Sequence, residues 1–216
     1  MNIETLIVGA APVDGAERFY REIVTCAQRV IACDAAAEWC LSLGRRPDAV
    51  VGDFDSAVPG ATSRLEAAGI PVIVYPEDKD ASDLDLAVGY ARSTGATMVC
   101  FTAAFSSRLD HTLAALGSLE RAFDLMPWVA EPGFTAWLLT DQGRRSVTVS
   151  APAGTTVSLL AFRPTHGVTL TGMKYPLRGA SLGVLSSLGI SNVMVDERAS
   201  VSITNGTLLV IVSRDA

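Results

Sequence analysis

Histidine is nearly absent from this chain: only His111 and His166 occur in 216 residues. A His-rich or Cys/His zinc site is therefore not expected, and any bound metal should be held by oxygen ligands, favouring Mg²⁺, Mn²⁺ or Ca²⁺. Cysteine is sparse too. Cys26, Cys33, Cys40 and Cys100 form no CxxC pair, and their positions near the first helices and in an apolar run read as ordinary buried thiols. That usage predicts a cytoplasmic protein. No apolar run approaches the roughly 18–20 residues of a spanning helix. The opening residues carry Glu4 where a signal peptide would carry cations, so they read as a first strand. Positive charge is in deficit, with 17 Lys and Arg against 23 Asp and Glu and a net charge of −6. Nucleic acid and anionic membranes both need a basic surface, so neither is an expected partner. A small polyanion is still admissible, because a metal ion can invert the local charge. GxxxxGK[ST], GxGxxG and GxSxG are all missing, so a bound nucleotide must use a different cradle.

What is present begins with core material. Hydrophobic residues make up 49% of the chain, enough for a packed core and too much for disorder. The length allows one large domain or two small ones. Up to about residue 125, short β-like runs alternate with helical ones. Strands are expected over 5–11, 30–33, 48–51, 71–75 and 98–102. Helices are expected over 15–28, 35–43, 62–68, 82–93 and 110–123. Such alternation implies parallel strands with helices on both faces, and ligands then bind beyond the carboxyl ends of the strands. After the segment 126–133 the pattern changes to short strands, over 135–140, 146–150, 156–162, 167–171, 192–196, 200–204 and 207–212. Asn205-Gly206 between two β runs predicts a hairpin. The fold class is thus α/β: an N-terminal parallel-sheet α/β domain over 1–127 and a C-terminal antiparallel β-sandwich domain over 128–216. No repeat or low-complexity segment is visible.

Three segments carry candidate chemistry, each at an expected strand end or helix start, as is Asp34. The first is Gly52-Asp53-Phe54-Asp55-Ser56. Carboxylates at i and i+2 of an extended stretch project to one side. At about 5 Å they repel by roughly 1–3 kcal/mol, a penalty that a cation removes. Alone, the segment is equally a solvated Asp-rich turn. The second runs from Pro76 to Asp85 and contains Lys79, Asp80, Ser82 and Asp83. Ser82 with Asp85 fits a capping box, and acids suit a helix N-terminus, so helix initiation explains much of it. Asp80 and Asp83, at i and i+3, would also share a helix face. The third is Ser106-Ser107-Arg108-Leu109-Asp110-His111-Thr112. Arg108 there could grip a phosphate bidentately beside free backbone N–H groups, while Asp110 could be only an N-cap.

Taken in order, these segments resemble the thiamine pyrophosphokinase family. The resemblance spans nearly the whole chain. It also takes in Cys33-Asp34, Pro47-Asp48, the run from Gly172 to Leu177, Ser191-Asn192 and the run from Asn205 to Val210. It implies transfer of the β,γ-pyrophosphoryl group of ATP to the hydroxyl of thiamine, giving thiamine diphosphate and AMP. It also implies a homodimer with active sites between subunits. Asp34, Asp53, Asp55, Asp80 and Asp83 would bind Mg²⁺ and phosphates, with Ser82 in the same segment; Asp53, Asp55 and Asp83 would be the metal ligands. Arg108 and Asp110 would lie by the nucleotide, and either Asp83 or Asp110 would orient or deprotonate the hydroxyl. Ser191 and Asn192 would contact thiamine. Tyr175 could attract the thiazolium or simply pack on a sheet. Two places depart from the family pattern, which has glycines where Ala35-Ala36-Ala37 and Ala103-Ala104-Phe105-Ser106-Ser107 stand here. Alanine and serine add Cβ atoms where a ligand would pack. The competing readings are another Mg²⁺-dependent nucleotide-using transferase, with Asp53-Phe54-Asp55 as a DxD motif, and a non-catalytic thiamine or nucleotide-binding module.

Overall fold

The computed structural model describes residues 2–54, 60–75 and 81–214. The chain divides into two compact units, Met1–Leu125 and Met126–Ala216. In the first, β1 (Ile3–Val8), β2 (Ala27–Cys33), β3 (Ala49–Gly52), β4 (Val72–Val74) and β5 (Val99–Thr102) alternate with five helices. These are α1 (Glu17–Cys26), α2 (Ala36–Ser42), α3 (Ala61–Ala67), α4 (Asp83–Ser93) and α5 (Leu109–Arg121). The strands are parallel in the order β4-β3-β2-β1-β5. Ile3, Leu6, Ile7 and Val8 of β1 are buried, as are Val30 to Cys33 of β2. Strands covered on both faces need such continuous apolar runs, which is why they were legible. α1 turns Tyr20, Ile23 and Val24 inward at helical spacing, and the Tyr20 ring meets Trp39 edge-on at 4.9 Å.

From β1 to β4 the chain steps steadily one way across the sheet; it then crosses back to β5 on the other side of β1. With the right-handed crossovers that parallel βαβ units follow, that order puts α1 to α3 on one face and α4 on the other. The reversal between β1 and β5 is the topological switch point, where the loops leaving neighbouring strands part and open a crevice.

The second unit is antiparallel, in the order β6-β7-β13-β9-β12-β8. Its strands are β6 (Trp128–Glu131), β7 (Phe134–Thr140), β8 (Ser146–Ser150), β9 (Thr156–Thr171), β10 (Ala180–Leu182), β11 (Asn192–Val193), β12 (Arg198–Ser202) and β13 (Asn205–Ser213). β10 and β11 also pair with β9. β9 is one long strand where two were expected. Val157, Leu159 and Ala161 point into the core from its first half, Val168 and Leu170 from its second. The inward phase therefore switches across the Arg163–Gly167 region, where Gly167 has φ +67°. The first half pairs with β13 and the second with β12. The strand thus serves both layers of a sandwich around one core.

The expected Asn205-Gly206 hairpin is not formed. β12 and β13 flank β9 instead of pairing with each other, and Asn205 and Gly206 already belong to β13. Gly206 has φ +103°, and a Cβ there would lie 2.5 Å from the Pro164 carbonyl oxygen. This glycine serves a close strand approach. The thiols are free, but Cys26 is exposed, contrary to the expectation that all four are buried. Burial pushes the Cys40 thiol up to about 12. No helix among the described residues is long and apolar enough to cross a membrane.

Candidate active site

A cleft of about 930 Å³ opens in the first unit at the switch point. Gly9, Ala10 and Ala11 line it after β1, Asp34 after β2, Asp53 after β3, and Ala103 and Ala104 after β5. Ser82 and Asp83 enter from the start of α4, Arg108 and Asp110 from the start of α5. Of the candidates read from sequence, Asp34, Asp53, Ser82, Asp83, Arg108 and Asp110 therefore share one cavity. Asp55 and Asp80 lie outside the described residues. Ser191 and Asn192 belong to the second unit.

The strand ends turn sharply. Asp34, Phe54 and Ala103 have φ of +43°, +58° and +50°, a region that costs a non-glycine residue about 1–2 kcal/mol. Phe54 is therefore left-handed and not extended as expected; Asp55, the second carboxylate of that reading, lies outside the described residues. Ala103 takes a backbone shape that glycine would adopt freely. At the neighbouring strand end, Gly9 donates its N–H to the Thr102 carbonyl at 2.9 Å, and Ala11 donates to Ala103 at 2.8 Å. A Cβ on Gly9 would sit 2.5 Å from the Ala103 oxygen. The expected strand over 5–11 ends at Val8, so Gly9, Ala10 and Ala11 were missed as cleft residues. A glycine followed by two alanines after an apolar run was the available signal.

At the α4 entrance the expected capping box is formed. Ser82 Oγ accepts from the Asp85 amide at 3.3 Å, and Asp85 Oδ2 accepts from the Ser82 amide at 3.2 Å. Burial alone would push Asp85 up, but hydrogen bonds from Arg121, Ser118 and Ser82 outweigh it and hold the carboxyl below its usual range. At the α5 entrance the N-cap is Arg108, not Asp110. The Arg108 guanidinium donates to both oxygens of Asp110, at 3.2 and 2.7 Å. Those bonds hold Asp110 well down, to about 2. The two helix starts also bring partial positive charge and N–H groups to the cleft, which suits an anion.

Among the described residues no three His, Cys, Asp or Glu side chains converge as a metal cage. The donor chemistry nevertheless fits Mg²⁺. Asp34, Asp53 and Asp83 are hard oxygen donors on one cavity, and Mg²⁺ takes one or two carboxylates while keeping waters and substrate phosphates.

In the second unit Asn192 is buried. Its Nδ2 donates to the Tyr175 carbonyl at 2.8 Å, and its Oδ1 accepts from the Tyr175 amide at 3.1 Å and the Val193 amide at 2.9 Å. The Tyr175 ring does not pack into a sheet: Tyr175 is 59% exposed, and Lys174 Nζ lies 5.5 Å from its ring centroid. Ser191 is left-handed at φ +58°, and its amide donates to Ser158 Oγ.

Two family models match the chain. Residues 20–127 match the catalytic domain of thiamin pyrophosphokinase, and residues 145–208 match its vitamin B1 binding domain. The chain is 29% identical over 196 residues to thiamine pyrophosphokinase of Bacillus subtilis strain 168, covering 86% of this chain and 87% of the relative. Among solved structures it resembles thiamine pyrophosphokinase from Bacillus subtilis, with TM-score 0.80 and 24% identity over 99% of this chain and 100% of that one. The thiamin pyrophosphokinase from Geobacillus thermodenitrificans gives TM-score 0.79 and 26% identity, covering 99% of each chain. The yeast enzyme, at 13% identity and TM-score 0.75, covers 98% of this chain and 86% of that one and bears on the fold alone.

Proposed function

Since the chain belongs to the thiamin pyrophosphokinase family, whose enzymes pyrophosphorylate thiamine, we propose that it transfers the β,γ-pyrophosphoryl group of ATP to the thiamine hydroxyl in the cleft of its first unit. The observation that carries this reading is the meeting of Asp34, Asp53, Ser82, Asp83, Arg108 and Asp110 in one cavity at the switch point. The hydroxyl oxygen bonds to the β-phosphorus as the bridging oxygen departs with its electron pair on AMP. Mg²⁺, held by Asp53, Asp55 and Asp83, would neutralise charge on the phosphates. Asp34, which lines the cleft, and Asp80 would bind Mg²⁺ or phosphate. Arg108 exchanges its carboxylate partner for phosphate oxygens, for which its planar fork is equally suited. Asp110 holds Arg108 until the nucleotide arrives. Either Asp83 or Asp110 then orients the hydroxyl and takes up its proton.

The first unit is the catalytic, nucleotide- and Mg²⁺-binding domain in this reading, and the second binds thiamine and dimerises. Ser191 serves thiamine directly, whereas Asn192, with its amide already committed, acts by fixing Tyr175. The exposed Val184, Leu185, Leu188 and Ile190 beside them in sequence support a homodimer. Four thiols without a disulfide support a cytoplasmic setting. The reading is tested by mixing the protein with thiamine, ATP and Mg²⁺. Thiamine-dependent AMP supports it. Binding without AMP makes the chain a binding module, and turnover only of another acceptor makes it a different Mg²⁺-dependent transferase.

A further inference from the structure

Two arginine clamps tie α4 to α5 and the turn that follows it. One lies at the first turn of α4: Arg121 Nε and Nη2 donate to Asp85 Oδ1 and Oδ2, both at 2.8 Å. The other lies at the last turn of α4: Arg92 Nε and Nη2 donate to the two oxygens of Asp124, both at 2.7 Å, and Nη2 also donates to the Arg121 carbonyl. The clamps share their chemistry and differ in what they hold.

Asp85 Oδ2 gathers Arg121 Nη2, the Ser82 amide at 3.2 Å and Ser82 Oγ at 3.0 Å. The reciprocal bond from the Asp85 amide to Ser82 Oγ is 3.3 Å. Both bonds of the capping box itself are therefore long, and the arginine bonds are short and charge-assisted. The Asp85 side chain is only 14% exposed, so water cannot replace the guanidinium fully. Ser118 Oγ adds a contact to Ser82 Oγ at 3.4 Å from α5. On the opposite side, Cys33 Sγ at the end of β2 reaches the Asp83 carbonyl at 3.6 Å. Among the described residues, Arg121 thus gives the turn that carries Asp83 a short, bidentate support.

We propose that Arg121 is a positioning residue: acting through Asp85, it fixes the first turn of α4 and with it the direction in which Ser82 and Asp83 face the cleft. The proposal rests on the reading of that cleft as the reaction site. Arg121 itself does not line it, and neither do Asp85, Arg92 or Asp124.

The two clamps allow a matched experiment. Arg121→Gln and Arg92→Gln each remove one bidentate pair, the first between α4 and α5 and the second between α4 and the turn after α5. Amide hydrogen exchange at Asp85 and Leu86, whose N–H groups bond to Ser82, should accelerate about tenfold in R121Q and change little in R92Q. In the thiamine, ATP and Mg²⁺ assay, kcat should fall about 10- to 100-fold in R121Q and stay near wild type in R92Q, since small misplacement of a reacting group is costly. Equal effects of the two variants on exchange, or a kcat for R121Q no lower than for R92Q, overturn the proposal. If the wild-type protein makes no AMP from thiamine and ATP, the reading of the cleft fails on its own. The exchange contrast then decides the positioning claim.

Discussion

Gly9 and Gly89 make a pair in which one substitution should have opposite consequences. Neither has a left-handed φ, so backbone strain is not the issue at either site. At Gly9 an added Cβ meets the Ala103 oxygen at 2.5 Å and the Ala104 Cα at 2.9 Å. Both obstacles are backbone, held there by the hydrogen bonds from Gly9 and Ala11 to Thr102 and Ala103. They cannot rotate away as a side-chain tip would. Overpacking of this kind costs about 1–3 kcal/mol. At about 2–4 °C per kcal/mol for a chain of this size, Gly9→Ala should lower Tm by roughly 2–12 °C. It should also weaken turnover, because the displaced loop leads to Arg108. At Gly89, an exposed position inside α4, a Cβ meets nothing within 4 Å. There alanine removes the helix penalty of glycine, about 0.5–1 kcal/mol, and should raise Tm by roughly 1–4 °C. Calorimetry on the two variants checks both signs. A Gly9→Ala protein that melts with wild type, or a Gly89→Ala protein that melts below it, refutes the spatial reasoning.

The remaining predictions concern single polar groups. The folded-state value of Asp110 lies below its ordinary one, so the stabilisation from its pair with Arg108 is complete above about pH 4. It is lost only as pH falls through about 2. Carboxyl-carbon NMR should place the Asp110 midpoint near 2, moving back toward the ordinary value in Arg108→Ala; an ordinary midpoint with Arg108 intact contradicts the pairing. Asn192→Ala removes three hydrogen bonds and leaves the Tyr175 amide and carbonyl without their buried partner. Urea unfolding should show a loss of about 1–3 kcal/mol, and an unchanged midpoint would return Asn192 to direct ligand contact.

Sequence revealed the parallel half of the fold well because buried strands must be apolar throughout. It located the cleft for a related reason: polar residues at the ends of such strands stand out. The failures came where pairing is non-local. Trp128–Glu131 shows no alternation because all four residues are buried, so β6 was passed over. The Asn-Gly signal beside β13 was sound as local chemistry, but β9 lies between the strands it was expected to join. Pro164 and Gly167 made one strand look like two. At the site, the left-handed φ of Phe54 was not legible, because phenylalanine carries no marker for such a turn. The clasp of Asn192 on Tyr175 spans 17 positions, and that of Arg121 on Asp85 spans 36; neither has a local signature.

The central claim is that the strand-end carboxylates of one cleft carry out pyrophosphoryl transfer, and Asp53 is its firmest member. The most direct measurement is AMP formation from thiamine, ATP and Mg²⁺ by wild-type and Asp53→Asn proteins side by side, with circular dichroism confirming that both are folded. The wild type should release one AMP for each thiamine diphosphate, and Asp53→Asn should be slower by about a hundredfold or more. A folded Asp53→Asn protein that turns over at nearly the wild-type rate would contradict it.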